Sequence, residues 1–342
     1  SKRVTSILRK SIHHVENYSI DESFCDLNGY DAHFDLVDMM RGIAHKIKLW
    51  TDIPVSVGIA PTKTLAKMGS KFAKQYVGYQ GVCMIDNDEK RRKALDLFDL
   101  ADVWGIGRQT FERLNYYGIH TPLEFADKSE SWVKANFTKP GVQTWRELNG
   151  EPCIDTSEVL RKKTICTSRS FGDMVGDVES LKAAVATFAS SCANKLRGEG
   201  SGAKSVTVFL CSNRFREDLA QYNNAASFTF LTPTSDTMEI TNAALNILVH
   251  IYKKGIMYKK AGVIVGDVVS ISPYQADLFD PIQNRPQRAR LMKAMDDLNH
   301  RYGLKTLRLA VEGEEKQTWK VKSEHRSPNY LTNFNEILTI HI

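Results

Sequence analysis

The sequence predicts an α+β protein with more than one domain. Its first stretch alternates short apolar runs with helical patterns, while a middle stretch has short helical patterns joined by glycines and little that forms a sheet. Farther along, the elements follow the order β-α-β-β-α-β, the split, ferredoxin-like unit with an antiparallel sheet and two helices on one face. A chain of 342 residues is also too long for one ordinary hydrophobic core. We therefore expect several domains.

Residues 1–87 are expected to form an α/β layer that begins abruptly. Val4, Leu8 and Ile12 recur at helical spacing with no capping residue ahead of them, as in a chain cut within a helix. The layer should continue as a strand-rich segment at 18–27 closed by the turn pair Asn28-Gly29, a helix at 36–47, a strand at 53–60, a helix at 63–75 and a strand at 81–85.

The other boundaries follow changes in composition. Residues 88–152 predict a small helical domain around Val103-Trp104-Gly105-Ile106-Gly107, and the polar segment 153–163 predicts a linker. Residues 164–271 carry the β-α-β-β-α-β pattern, in which both helices have apolar residues at clean helical spacing. Residues 272–342 predict a less regular, polar tail.

Composition excludes several classes of protein. Hydrophobic residues make up 42% and charged residues 25%, as in soluble globular proteins, and no apolar run has the roughly 18 residues of a membrane helix. The six cysteines are scattered without a C-x-x-C pair, which indicates neither a disulfide framework nor a zinc site and predicts a reducing, cytoplasmic setting. The net charge of +6 favours a polyanionic partner only weakly.

The adjacent acids Asp21 and Glu22 are the sharpest chemical feature. Neighbouring side chains of a straight strand point to opposite faces, so both acids serve one site only if the chain turns or twists there. Flanked by apolar strand residues, such a pair suits Mg²⁺, which takes hard oxygen ligands and leaves room for substrate phosphates. Taken alone, the pair is more often an ordinary solvated acidic pair in a hairpin turn.

Four segments, in order along the chain, resemble the motifs of Y-family translesion DNA polymerases. They are Tyr18-Ser19-Ile20-Asp21-Glu22-Ser23-Phe24-Cys25-Asp26-Leu27, Val57-Gly58-Ile59-Ala60-Pro61-Thr62-Lys63-Thr64-Leu65-Ala66-Lys67, Val103-Trp104-Gly105-Ile106-Gly107 and Ser168-Arg169-Ser170-Phe171-Gly172. Their spelling is most similar to the bacterial UmuC branch, the catalytic subunit of DNA polymerase V. The resemblance implies a partial palm at 1–87, a helical thumb with a helix–hairpin–helix at 88–152 and a little finger at 164–271. It also implies error-prone, template-directed nucleotidyl transfer in SOS-type DNA repair.

The resemblance gives the acids and two lysines roles in that reaction. Asp21 and Glu22 match the family's metal-site carboxylates, with Glu22 next to the attacking primer 3′-hydroxyl and two Mg²⁺ ions expected in the full-length enzyme. Lys67 matches the lysine that meets the incoming deoxynucleoside triphosphate, and Lys63 is a second expected contact. From the residues alone, the basic stripe on this helix is more often a solvated face. Asp26 is expected to cap the turn at Asn28-Gly29.

Two segments are expected to contact the backbone of primer–template DNA. Glycines at a helix start let the chain approach a phosphate closely, whereas a lone G-x-G is more often a tight turn. Hydroxyls and an arginine on one exposed sheet face suit phosphates, although a plain polar outer face is equally typical of such sheets. The expected DNA contacts are Gly105, Ile106, Gly107, Arg108, Ser168, Arg169 and Ser170.

The tail contains Gln275-Ala276-Asp277-Leu278-Phe279, which matches the Q-x-x-L-F peptide of bacterial sliding-clamp ligands. Gln275 would fix the register while Leu278 and Phe279 anchor the peptide in a pocket of the clamp. The alternative is that Leu278 and Phe279 fold back onto their own domain. By resemblance alone, further partners are a processed UmuD dimer and RecA filaments.

One departure from the family pattern limits the expected activity. The family's first palm strand, with another metal-binding aspartate, and its fingers domain precede the acidic motif, and neither is in this sequence. Residues 1–15 contain no Asp or Glu that could substitute. We therefore expect this chain to bind DNA but to polymerise poorly or not at all. The alternative functions are a non-catalytic DNA- and clamp-binding module and, with less support, a metal-dependent nuclease.

Overall fold

A computed structural model describes residues 1–156, 162–271, 280, 282, 284–303, 305–313, 319–320, 322, 324–329 and 333–339. The chain divides into two compact units, Ser1–Leu160 and Arg161–Ile342. Within the residues that the structure describes, no helix combines the length and the apolar character needed to cross a bilayer.

The first half of unit 1 is an α/β arrangement, as the sequence predicts. Its strands pair as two separate two-stranded sheets within the described residues, an antiparallel hairpin of β1 with β2 and a parallel pair of β3 with β4. The segment predicted as strand-rich at 18–27 is divided, because the hairpin connection occupies 18–22 and β1 lies ahead of it. The elements are α1 Lys2–Ser11, β1 Val15–Asn17, β2 Ser23–Cys25, α2 Leu36–Thr51, β3 Val57–Ile59, α3 Lys63–Gln75 and β4 Val82–Met84.

Two glycines set the close packing of α3 on β3. A Cβ on Gly58 would lie 1.8 Å from the carbonyl oxygen of Ala66 and 2.3 Å from the backbone nitrogen of Ser70. A Cβ on Gly69 would lie 3.1 Å from the Cα of Gly58. Helix and strand therefore touch through their backbones at this point, which requires glycine. This contact fixes α3, the helix that carries Lys63 and Lys67, directly against β3.

The second half of unit 1 is helical, and no strand occurs in its described residues, in agreement with the prediction. Its α-helices are α4 Asp88–Leu97, α5 Arg108–Tyr116, α6 Pro122–Ala126, α7 Glu130–Asn136 and α8 Lys139–Leu148, with a 3₁₀ turn at Leu100–Asp102. The buried side chains of Leu65 and Met68 on α3 belong to the same hydrophobic cluster as Leu114 and Phe125 of the helical part. The boundary predicted at 87/88 therefore crosses a shared core.

Unit 2 has the predicted β-α-β-β-α-β order. In chain order its elements are β5 Ile165–Val175, α9 Val178–Gly198, β6 Ser201–Ser212, β7 Asn223–Thr234, α10 Thr237–Ile251 and β8 Tyr258–Ser270. The sheet order is β5-β8-β6-β7 with antiparallel neighbours, so each helix links two parallel strands that are separated by a third. One sheet face packs against both helices, since the buried apolar residues of the strands and helices form one cluster.

The tail contains a regular element that the sequence reasoning missed. Helix α11, Arg285–Tyr302, buries Met292 and Met295, whereas Leu291, Leu298 and Tyr302 remain exposed. Few of its apolar residues are buried and many of its residues are charged, so the hydrophobic periodicity that marks α9 and α10 is weak here. Trp319, farther along, joins the core cluster of unit 2.

Candidate active site

The acidic pair lies on the tight connection between β1 and β2. The backbone N–H groups of Tyr18 and Ser19 both donate to the carbonyl of Glu22 at 3.1 Å, and the hydroxyl of Ser19 donates to the Asp21 carboxylate at 2.6 Å. Both acids are exposed. The chain thus turns where the sequence argument required a turn, which frees Asp21 and Glu22 from the alternation of a strand. The predicted structural role of Asp26 is confirmed, since its carboxylate accepts from Asn28 N–H at 3.0 Å.

Lys67 is brought directly against Glu22 of this pair. It projects from α3, whose N-cap Thr62 accepts a hydrogen bond from Leu65 N–H at 3.3 Å. The Lys67 Nζ lies 3.1 Å from both carboxylate oxygens of Glu22, although 45 residues separate the two in sequence. A lysine and an acid that the sequence assigned to one reaction therefore meet in the fold.

Two aromatic rings flank the Lys67 ammonium, and a third packs against both of them. Its Nζ lies 4.9 Å from the ring centroid of Tyr18 and 5.0 Å from that of Trp104, within the range of a cation–π interaction. Trp104 Nε1–H donates to the Tyr18 hydroxyl at 3.1 Å, and the Phe24 ring lies 5.7 Å from each of these two rings. We call Tyr18, Phe24 and Trp104 the lysine cage. Sequence reasoning gave Tyr18 and Trp104 no role of their own, because the cage joins the hairpin to residue 104 and no local spacing indicates that contact.

Lys63 has a different environment. Its Nζ donates to Glu16 at 2.8 Å and to the Thr156 hydroxyl at 2.7 Å, and it lies 5.2 Å from the ring centroid of Phe24. The structure therefore brings Lys67, but not Lys63, into contact with the acidic pair.

Glu147 is a buried carboxylate that the sequence reasoning missed. It lies on α8 and is only 1% exposed. Its Oε2 accepts from Thr64 N–H in the first turn of α3 at 2.9 Å, and its Oε1 accepts from Cys153 N–H at 2.9 Å and Ile154 N–H at 3.2 Å. A negative charge at a helix N-terminus is favourable, and each bond is assisted by that charge. Glu147 therefore ties the start of the Lys67 helix to the helical part of unit 1.

An open cleft of about 1600 Å³ borders these groups. Its lining includes Asp21, Glu22, Lys67 and Trp104 as well as apolar side chains from α1, α2 and β3. The acidic pair is thus accessible from solvent and is not buried against neutral core.

The donor chemistry of the pair fits a hard divalent cation. Asp21 and Glu22 present exposed carboxylate oxygens, the ligand type that Mg²⁺ prefers. In the described part of the chain, no group of three or more His, Cys, Asp or Glu side chains is gathered as a metal cluster.

The glycine turn of the helical part has a geometry that lets a phosphate come close to the protein backbone. Gly105 has a φ of +97°, and a Cβ there would lie 2.1 Å from the Thr144 hydroxyl oxygen, so both conformation and space require glycine. Gly107 is the N-cap of α5 without a side-chain cap, and a Cβ on it would meet nothing within 4 Å. Ile106 is buried, whereas Arg108 is exposed beside Glu112 at 2.9 Å. The first backbone N–H groups of α5 are thus accessible beside an arginine.

In unit 2, the three expected DNA contacts on β5 do not share one sheet face. Ser168 pairs with Gly262 and Ser170 with Lys260, on the face opposite the helices. Arg169 pairs with Ala261, a buried core residue, so strand alternation directs its Cβ toward the helix-covered face. Its exposed guanidinium donates to the Ser168 carbonyl at 2.9 Å. The expectation of an arginine on the hydroxyl face ignored that neighbours on a strand alternate.

The expected clamp motif lies outside the described residues, because Gln275, Leu278 and Phe279 fall within 272–279.

Comparisons with known proteins agree with the motifs. Residues 1–71 match the model of the impB/mucB/samB family, residues 162–278 that of the impB/mucB/samB family C-terminal domain and residues 289–340 a domain of unknown function. The chain is 39% identical to protein UmuC of Salmonella typhimurium over 342 residues, covering 99% of this chain and 81% of the relative. It is 25% identical to DNA polymerase IV of Clostridium acetobutylicum over 322 residues, covering 92% of this chain and 77% of the relative.

The fold is also similar to that of a solved structure. A solved Y-family DNA polymerase chimera of Dbh and Dpo4 matches with a TM-score of 0.57 at 20% identity, covering 79% of this chain and 75% of the other. The chain belongs to the UmuC branch of the impB/mucB/samB family of Y-family DNA polymerases, the DNA-directed DNA polymerases of translesion synthesis. The predicted family, fold class and enzyme class are thereby confirmed.

Proposed function

We propose that the hairpin connection of unit 1 is the metal and triphosphate end of a nucleotidyl-transfer site. The observation that carries this proposal is the contact of Lys67 with Glu22, which joins the acidic pair to a cation beside an open cleft. Asp21 and Glu22 would hold Mg²⁺, which when bound activates the primer 3′-hydroxyl and stabilises charge on the triphosphate. Lys67 then exchanges the Glu22 carboxylate for phosphate oxygens of the incoming nucleotide.

The lysine cage positions Lys67 for that exchange. An aliphatic amine on four methylenes has many rotamers, and ordering it costs up to about 2 kcal/mol. The Tyr18 and Trp104 rings favour the charged ammonium by about 0.5–1 kcal/mol each at a partly exposed site. They therefore hold the ammonium near the acidic pair without neutralising it, so that it remains available to an anion.

Contacts to primer–template DNA are proposed at two places. The start of α5 offers backbone N–H groups and Arg108, and the open face of β5 offers Ser168 and Ser170. All of these groups suit phosphates, so affinity should fall steeply with salt and depend little on sequence. The proposed partners beyond DNA remain the sliding clamp, through Gln275, Leu278 and Phe279, and, by resemblance to the family, a processed UmuD dimer and RecA.

Nucleotide binding and primer extension test the proposal separately. Fluorescence of the chain, which includes Trp104, is titrated with deoxynucleoside triphosphate in the presence and absence of Mg²⁺, for wild type, Glu22→Gln and Lys67→Ala. The control is Asp96→Asn, an exposed acid on α4. Both site variants should lose most of the metal-dependent binding and the control none; equal binding by all four proteins would reject the site.

Primer extension on the same proteins distinguishes the two functions of the chain. Nucleotide addition by the chain should be abolished in Glu22→Gln and unchanged in Asp96→Asn. Addition that Glu22→Gln abolishes supports the polymerase site, whereas addition that Glu22→Gln leaves unchanged rejects it. DNA binding that persists while wild type and Glu22→Gln bind nucleotide equally would favour a non-catalytic DNA-binding module.

A further inference from the structure

Helix α11 and Trp319 lie against the β-α-β-β-α-β core of unit 2, and residues 289–340 match a domain of unknown function. The Arg197 guanidinium, in the last turn of α9, binds the Asp296 carboxylate of α11 through two nitrogens, at 2.6 Å and 2.7 Å. Asn194 adds a third donor to Asp296 at 3.0 Å. The side chains of Arg197 and Asp296 are only 13% and 25% exposed, so this pair is largely removed from water.

The start of α11 is bound to the start of α10. Arg288 donates to both carboxylate oxygens of Asp236, at 2.7 Å and 2.8 Å. Asp236 is at the same time the N-cap of α10, where it accepts from two backbone N–H groups. Arg285 donates to Glu239 in the first turn of α10 at 3.0 Å and 3.2 Å. One helix therefore links the end of α9 to the beginning of α10 through planar, bidentate pairs, the strongest class of side-chain hydrogen bond.

Trp319 makes a second contact, next to β5. Its ring lies 5.5 Å from that of Phe188 on α9 and 6.5 Å from that of Phe171 on β5, and it is 5% exposed. The adjacent Lys320 carbonyl would lie 2.6 Å from a Cβ on Gly172, so the tail backbone crosses directly over β5 there. The crossing falls where the pairing of β5 with β8 is irregular, between Ser170 and Val175.

We propose that α11, Trp319 and Lys320 act as an intramolecular brace, whose docking surface is formed by the end of α9, the start of α10 and the bulged end of β5. β5 is an edge strand of the sheet and, among the strands that the structure describes, pairs with β8 alone. A register break next to an unpaired edge leaves few backbone hydrogen bonds to hold the strand. The brace supplies apolar contact at Phe171 and backbone cover at Gly172, one and two residues after Ser170.

The brace thereby fixes the part of the sheet assigned to DNA, and this part of the inference rests on the proposed function. Ser168 and Ser170 contact phosphates only while β5 keeps its register against β8. The domain of unknown function, on this account, stabilises the DNA-facing edge of unit 2 from the opposite side.

Substitutions in the full chain test the brace without reference to DNA. Asp296→Asn keeps the shape and removes the charge that Arg197 binds, and Trp319→Ala removes the ring. Asp297→Asn, one residue along the same helix and exposed, is the matched control. Both brace variants should lower the melting temperature of unit 2 by roughly 5–10 °C. Amide hydrogen exchange of residues 165–175 should accelerate at least about tenfold in Trp319→Ala.

The melting temperatures and the amide exchange of β5 decide whether the brace stabilises the strand. Melting and β5 exchange that match the control in both brace variants would overturn the brace. Accelerated exchange confined to α11, with β5 unchanged, would also overturn it, since the brace would then hold only itself. Accelerated exchange of β5 supports it.

DNA-binding measurements test the brace and the proposed function separately. If Trp319→Ala weakens binding to primer–template DNA several-fold and Ser168→Ala with Ser170→Ala does the same, the link to DNA is supported. If the double serine variant binds DNA like wild type, the DNA role of β5 is rejected, whereas the exchange result still decides the brace.

Discussion

Replacing Glu147 by glutamine should destabilise unit 1 far more than its small chemical change suggests. The carboxylate accepts hydrogen bonds on both sides, from Thr64 N–H on one and from the N–H groups of Cys153 and Ile154 on the other. Glutamine offers one carbonyl oxygen and one amino group. Whichever way the amide is oriented, a donor faces a backbone donor at a site that is 1% exposed. Rotating the amide therefore replaces one contact between two donors with another.

The size of the effect follows from these contacts. A hydrogen bond to a charged group contributes about 1.5–3 kcal/mol, and a buried donor left without a partner costs about 1–3 kcal/mol. If the amide oxygen takes the place of Oε1, the two hydrogen bonds at that atom are retained but no longer involve a charged group. The free energy of unfolding should then fall by about 2–4 kcal/mol. For a cooperative unit of 150–250 residues, each kcal/mol corresponds to roughly 2–4 °C, so the melting temperature of unit 1 should fall by about 5–15 °C.

Thermal unfolding followed by circular dichroism measures this shift, with Glu89→Gln as the control. Glu89 is an exposed acid in the first turn of α4, where its replacement should change the melting temperature by no more than about 2 °C. Hydrogen exchange at the Thr64 and Cys153 amides reports the same loss locally. A Glu147→Gln protein that melts with the control, while those amides stay protected, would refute the claim that the carboxylate ties α3 to the helical part of unit 1.

Three further results are expected. Gly58→Ala should unfold unit 1 or lower its stability by more than about 3 kcal/mol in a urea titration, because a Cβ would lie 1.8 Å from a backbone oxygen. A variant as stable as the wild type would contradict the backbone contact of α3 with β3. Trp104→Phe keeps a ring beside the lysine but loses the hydrogen bond to Tyr18, so nucleotide affinity measured by titration calorimetry should weaken about fivefold. The same change at Trp132 should have no effect, and equal affinities of the two variants would contradict the role of Trp104. The Arg285 guanidinium hydrogen-bonded to Asp280 lowers the pKa of that carboxyl to about 2. The contribution of this pair to the free energy of unfolding is therefore complete above about pH 4 and is lost as the pH falls through about 2. The urea midpoint of the wild type should fall over this pH range, and Asp280→Asn should flatten the fall. An unchanged dependence of the urea midpoint on pH would contradict the pairing.

The sequence was sufficient to predict elements with strong periodicity. Helix α3 occupies the predicted 63–75, and the sheet elements of unit 2 follow in the predicted order, because long amphipathic patterns determine which face is buried. The hairpin β1–β2 was placed less well. Its three-residue strands are too short to show alternation, and the acidic turn between them resembles a strand in composition.

Sequence reasoning likewise predicted some of the candidate site residues and missed others. Asp21, Glu22 and Lys67 were predicted because each belongs to a contiguous motif, and Lys67 contacts Glu22 in the fold. The lysine cage and Glu147 depend on contacts between residues about 80 apart, which no local pattern encodes. Helix α11 was missed for a related reason, since it is held largely by arginine–carboxylate pairs and its buried apolar residues are few.

The connection between β1 and β2 closes its hydrogen bonds within five residues, 18 to 22. The Ser19 hydroxyl donates to the Asp21 carboxylate and also accepts from the N–H groups of Asp21 and Glu22 at 3.3 Å and 3.1 Å. The orientation of the acids is consequently preorganised by their own covalent neighbours. A cation bound there would have little backbone to order, so the entropic cost of assembling this part of the chain around it would be small.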